Sequence, residues 1–158
     1  MTIGLRLLTG ALLVIALSGK RWAYVAFMFA SLLYFPAQVA FRIAPRACEM
    51  LVPMDLALHS FRNYAHELLF TIFFVVSVIH FSRRSDSRSA VLIKSAVGSL
   101  VYGVIIEIGE GISGHGHCRL RDLLPDSAGI VAGFLLVTLW FAMRGLRPGQ
   151  GIKSDKIR

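Results

Sequence analysis

The sequence predicts an all-α protein, a polytopic transmembrane helix bundle of four to five spans with a short interfacial helix. Three observations carry that expectation. Apolar residues make up 56% of the 158 and charged residues only 16%, against about 45–50% and about 25% in soluble domains. The charges sit in short clusters between apolar runs, and several runs reach the roughly 17–25 residues that a span needs at about 1.5 Å of rise each. Basic residues flank those runs, as topology signals do. The reading is therefore a single membrane domain over 1–158, with 144–158 a basic cytoplasmic tail and no room for a separate soluble domain.

The first run, Ile3–Leu17, is short for a span and carries Arg6 near its start, where a long side chain can snorkel to the headgroups. Ala16-x-Ser18 has the look of a signal-peptide cleavage site, but Lys20, Arg21 and a second apolar run follow at once, which favours an uncleaved span. The second run, Trp22–Phe41, opens on the interfacial aromatics Trp22 and Tyr24 and tolerates Pro36 near its far end. Arg42–Asn63 is mixed in polarity and interrupted by Pro45 and Pro53; a short interfacial helix starting near Pro53 fits it. Spans three and four are expected over Tyr64–Phe81 and Ala90–Ile108, joined by the basic loop Ser82–Ser89. A Gly- and His-rich loop, Gly111–Leu124, leads to span five, Ser127–Met143, where Gly129 and Gly133 stand four apart as a small-xxx-small pair. The chain has no internal repeat.

Orientation follows from the lysines and arginines. Lys20, Arg21, Arg83, Arg84, Arg88, Arg144, Arg147, Lys153, Lys156 and Arg158 fall on one side; Arg42, Arg46, Arg62, Arg119 and Arg121 fall on the other. The first group is the larger and is expected in the cytoplasm, which places the C-terminus there and both polar loops outside the cytoplasmic (inner) membrane. The net charge of +8 is then attraction to anionic lipid headgroups; no basic stripe with interleaved aromatics suggests nucleic acid. Membrane lipids are the expected partners.

Ionisable groups at span ends are costly and are kept for pairing or function. Here they gather at the outer ends of spans three to five. Asp55, His59, His66 and Glu67 come from the first outer loop and the start of span three; Glu107 and Glu110 end span four; His115, His117, Arg119, Arg121, Asp122 and Asp126 fill the second outer loop and the entry to span five. Glu107 and Glu110 share a helical face at i,i+3, and Asp122 and Asp126 do so at i,i+4. Asp126 has a plain alternative role as a helix cap after Pro125.

These positions resemble the VanZ-like family. Asp55-x-x-x-His59, Glu107-x-x-Glu110, then Asp122-x-x-x-Asp126-x-x-Gly129 followed by Gly133, resemble its ordered motifs over about 55–143. Three positions depart: Glu110 and Asp126 replace an amide-bearing glutamine and asparagine, and Gly116 stands where an arginine is usual. The resemblance implies a multi-spanning envelope protein of a family associated with glycopeptide (teicoplanin) resistance, and it implies no defined reaction.

Three functions compete. In the first, a non-enzymatic envelope protein, Arg119 and Arg121 satisfy Glu107, Glu110 and Asp122 in a buried network. In the second, an enzyme on a lipid-linked or cell-wall substrate, the catalytic candidates are Glu107, Glu110 and Asp122. Burial splits the proton affinities of close carboxylates, while His59 or His66 shuttles a proton, Arg119 and Arg121 hold a phosphate, and Asp55, Glu67 and Asp126 are further binding candidates. The third, a transporter, is disfavoured because no ladder of ionisable groups crosses the midplane. His115 and His117 read as solvated loop histidines, so no metal and no cofactor is expected. Cys48 and Cys118 are expected to be unpaired thiols, with a single bridge as the alternative if both face an oxidising compartment.

Overall fold

The computed structural model describes residues 2–34, 45, 47–50, 64–84, 87–114 and 118–143. Five α-helices account for most of them: α1 (Thr2–Leu17), α2 (Arg21–Tyr34), α3 (Tyr64–Ser82), α4 (Arg88–Ser113) and α5 (Leu123–Met143), with a 3₁₀ turn at Leu120–Asp122. The all-α bundle is as expected. Three of its helical segments, 64–82, 88–113 and 120–143, are long and apolar enough to cross a membrane, and Leu7–Leu17 is a shorter apolar helix. The interfacial helix near Pro53, the last part of the second span and the basic tail lie outside the described residues.

The side chains divide as a lipid solvent demands. On α4 the bulky Ile93, Val97, Val101, Ile105, Ile108 and Ile112 are exposed, while Ser95, Ser99 and Gly103 point inward. On α5, Val131, Leu135, Leu136 and Leu139 are exposed and Gly129 and Gly133 are buried. A soluble monomer does not expose contiguous apolar faces of this extent, and in lipid close backbone packing replaces the hydrophobic drive between helices. α3 is the central helix: Phe70, Phe73, Phe74, Val76, Ser77, Val78 and His80 are buried around its circumference.

α5 lies closest to α3, for a reason readable in its glycines. A Cβ on Gly129 would collide with the Glu67 carbonyl oxygen, and one on Gly133 would meet Phe74 Cδ1 at 2.9 Å. The approach lets the Thr71 hydroxyl donate across the interface to the Gly129 carbonyl, 2.9 Å, as well as to Glu67 O on its own helix, 2.8 Å. The small-xxx-small pair thus does what its spacing suggested.

α1 and α2 form a hairpin through Ser18–Lys20, where Gly19 takes the left-handed conformation (φ 75°) and the Arg83 side chain lies against it. The hairpin packs on α3 and α4 through aromatic contacts. Tyr24 stacks on His80 with centroids 4.1 Å apart and bonds Ser77 at 3.0 Å, and Tyr102 donates to the Met28 carbonyl at 2.6 Å. His80 is therefore more than a boundary residue: it is buried, and Arg84 Nη1 donates to its Nε2 at 3.1 Å.

These contacts gather the 18–20 turn, the end of α3 and the start of α4 at one end of the bundle. Arg88, 4.6 Å from the Phe141 ring centre, adds the end of α5 to the same end. Lys20, Arg21, Arg83, Arg84 and Arg88 all belong there. The described basic residues of the larger charge group thus share one face.

Candidate functional site

The opposite end is built by the start of α3, the end of α4 and the start of α5. Each helix brings its polar groups there for a local reason. α4 runs past the expected stop at Ile108 to Ser113, capped by Ser87 at its start and by Gly114 (φ 64°) at its end. At 1.5 Å per residue Glu107 lies about 28 Å from Arg88, near the far edge of a ~30 Å hydrocarbon layer. α5 starts at Leu123, earlier than Ser127, because Pro125 in a first turn gives up no intrahelical bond. Asp126 is consequently inside the helix, 1% exposed, instead of capping it.

Asp126 is the hub. Its Oδ1 is 2.9 Å from His66 Nδ1 on α3, and its Oδ2 lies against Gly103 of α4, where a Cβ would come within 2.9 Å. One carboxylate therefore touches all three long helices. The buried carboxylate thereby holds the half-buried imidazole of His66 in place through its Nδ1 edge. Asp122 and Glu107 both lie within electrostatic range of that ring.

Glu107, 6% exposed, accepts the backbone N–H of Arg119 at 2.7 Å. This corrects the expected network. The expected partners of the Arg119 and Arg121 guanidiniums are Glu107, Glu110 and Asp122; both remain within electrostatic range of Asp122, but their ion pairs are with Glu49, Arg119 Nε at 3.3 Å and Arg121 Nη1 at 3.7 Å. The geometric reason is a single parallel bridge between Glu49 and Arg119: Glu49 N–H donates to Cys118 O at 2.8 Å and Leu120 N–H to Glu49 O at 3.1 Å. That pairing turns the Arg119 amide to Glu107 and both arginine side chains to Glu49.

The cysteines are a second correction. Cys48 and Cys118 form a disulfide, Cα atoms 4.7 Å apart, in place of the two free thiols expected. Gly111 makes room for it, since a Cβ there would be 3.2 Å from both Cys48 Sγ and Cys118 Cβ. Gly111 is one turn beyond Glu107 on the same face of α4, so the bridge sits above the buried carboxylate.

Of the remaining candidates, Glu110 is half-buried within electrostatic range of Glu107, and Asp122 ends the 3₁₀ turn, half-buried. Glu67 contributes its main-chain carbonyl to the α3–α5 contact. Asp55, His59, His115 and His117 lie outside the described residues. Among the described residues no group of three or more His, Cys, Asp or Glu is placed to hold a metal. The sequence reading missed Glu49; its signal was adjacency to Cys48, visible only once that cysteine is paired.

No family model, curated protein or solved structure matches the chain. The VanZ-like resemblance accordingly rests on the ordered motifs alone.

Proposed function

We propose that this chain is a VanZ-like, multi-pass protein of the cytoplasmic (inner) membrane that acts on the cell envelope. Its acidic, disulfide-closed end faces outward, and its basic end and C-terminus lie in the cytoplasm. In this reading the polar site under the bridge recognises the polar head of a lipid-linked or cell-wall precursor. The carrying observation is that two unrelated signals agree on one orientation. Five arginines and lysines share the end opposite the disulfide, and disulfides persist in oxidising compartments while basic residues stay cytoplasmic. Of the residues carrying the VanZ-like resemblance, Asp126 and Gly129 lie in interhelical contacts at that outer end, Gly133 continues the same α3–α5 seam inward, and Glu107 accepts the Arg119 amide of the covering segment. A transporter is the poorer reading, because among the described residues the buried polar side chains between the two ends, Ser31, Ser77, Ser95 and Ser99, are hydroxyls and carry no charge.

The test is a comparison of lipid and cell-wall-precursor pools in cells with and without the gene, joined to binding of the purified full-length chain to a panel of those precursors. Wild-type protein is expected to bind at least one precursor whose pool changes, and Asp126→Asn and Glu107→Gln are expected to weaken that binding while keeping helical content. Unchanged pools together with no binding across the panel contradict the reading.

One observation favours catalysis as a second reading. The His66–Asp126 pair presents an imidazole oriented by a buried carboxylate, the arrangement a general base requires. Turnover of a bound precursor that disappears in His66→Gln, with binding retained, separates an enzyme from a binding protein.

A further inference from the structure

We infer that the Cys48–Cys118 disulfide is a thiol-reducible latch that closes the outer end of the bundle over Glu107, and that its chemical partner is a dithiol reductant of the same compartment. The inference rests on the proposed outward orientation and concerns how that site is regulated. Cys48 is exposed while Cys118 is half-buried, so an incoming thiolate meets the bridge from the Cys48 side.

Three features make the bridge a latch in addition to a staple. It lies on Gly111, one turn above Glu107. The residue after each cysteine holds the cover in place: Arg119 gives its amide to Glu107, and Glu49 pairs with segment 118–120 through two main-chain hydrogen bonds. Among the described residues the two segments are also joined by those two bonds and by the Glu49 ion pairs, whose carboxylate is 43% exposed and therefore only moderately held. Cutting the bridge removes the covalent tie between segments 70 residues apart in sequence and leaves the cover to non-covalent contacts of modest strength.

The exchange balances without further reagents. A thiolate of the reductant attacks Cys48 Sγ, the Cys48–Cys118 bond breaks, and Cys118 leaves as a thiolate that takes up a proton. The second thiol of the reductant then resolves the mixed disulfide. The reductant ends as a disulfide and the chain as two thiols, two electrons and two protons having passed to it.

The test uses the full-length protein in liposomes, oxidised or treated with dithiothreitol. A water-soluble carbodiimide with glycine ethyl ester is the probe for carboxyl groups that solvent can reach; Glu107 adducts are read by peptide mass spectrometry, and Glu107→Gln serves as the blank. Reduction is expected to speed Glu107 modification at least about tenfold, as local opening of a protected segment does. Cys48→Ser should match the reduced protein, and reoxidation of the reduced wild type should restore slow modification. That reversal stands even if Cys48→Ser fails to fold. Equal rates in the two redox states, or a bridge that dithiothreitol cannot reduce in the folded protein, overturn the latch. Gated modification without precursor binding would leave the latch standing and the proposed function refuted; binding with ungated modification would do the reverse.

Discussion

Gly129→Ala is the sharpest perturbation of the contact that brings the polar ends together. The added methyl carbon would overlap the Glu67 carbonyl, which is main chain and has no rotamer to retreat into. Forcing atoms into a packed interface costs about 1–3 kcal/mol. Separation of the helices also lengthens the Thr71–Gly129 bond, now 2.9 Å, for a further loss of about 0.5–1.5 kcal/mol. The sum is about 2–4 kcal/mol. For a chain of this size each kcal/mol moves the midpoint of thermal unfolding by about 2–4 °C, so a fall of about 5–15 °C is expected in detergent by circular dichroism. Two companions calibrate it. Gly133→Ala meets the buried Phe74 ring at 2.9 Å and the Thr71 carbonyl at 3.2 Å, a milder overlap, and should cost less, whereas Gly98→Ala meets nothing within 4 Å and should be neutral or slightly stabilising. A Gly129→Ala midpoint indistinguishable from that of Gly98→Ala would refute the close α3–α5 crossing.

His66→Ala, Asp126→Ala and the double variant form a thermodynamic cycle whose coupling energy should reach about 1–3 kcal/mol, because each single change leaves a buried polar partner unpaired; additive losses would mean the two groups do not meet. Glu49→Gln should change stability by less than about 1 kcal/mol, since its own carboxylate is 43% exposed and its ion pairs are long, 3.3 and 3.7 Å; a larger loss in the same denaturation experiment would show that Glu49 anchors the outer end. Tyr24→Phe keeps the stack on His80 but removes the Ser77 hydrogen bond, and a loss of about 0.5–1.5 kcal/mol is expected; no change would assign the hairpin's attachment to ring packing alone.

How much was legible in the sequence depended on how local each signal was. The spans were readable because apolar length is a property of one segment, and their ends shifted only where a cap or a first-turn proline extended a helix, as at Ser113 and Leu123. Gly129 and Gly133 were readable for the same reason: a helix carries small residues four apart on one face wherever it is packed. The gathering of His66, Glu107 and Asp126 at one end followed from antiparallel spans of similar length. Their partners did not follow. Whether Asp126 meets His66 or an arginine depends on helix rotation, and periodicity does not set the azimuth of one helix against another. The arginines were misassigned because opposite charges nearby in sequence look like partners, whereas the parallel pairing of Glu49 with Arg119 decides which atoms face inward. That pairing joins positions 70 residues apart beside the disulfide, a relation no local pattern encodes.

The account turns on the bundle having an acidic, bridged end and a basic end on opposite sides of one membrane. Single cysteines introduced at Leu120 and at Ser82, both exposed and flanking opposite ends, can be labelled in intact cells with a membrane-impermeant maleimide while the native pair stays oxidised. Labelling at 120 before permeabilisation, and at 82 only after it, is the expected result. Labelling of both positions from the same side would contradict the account.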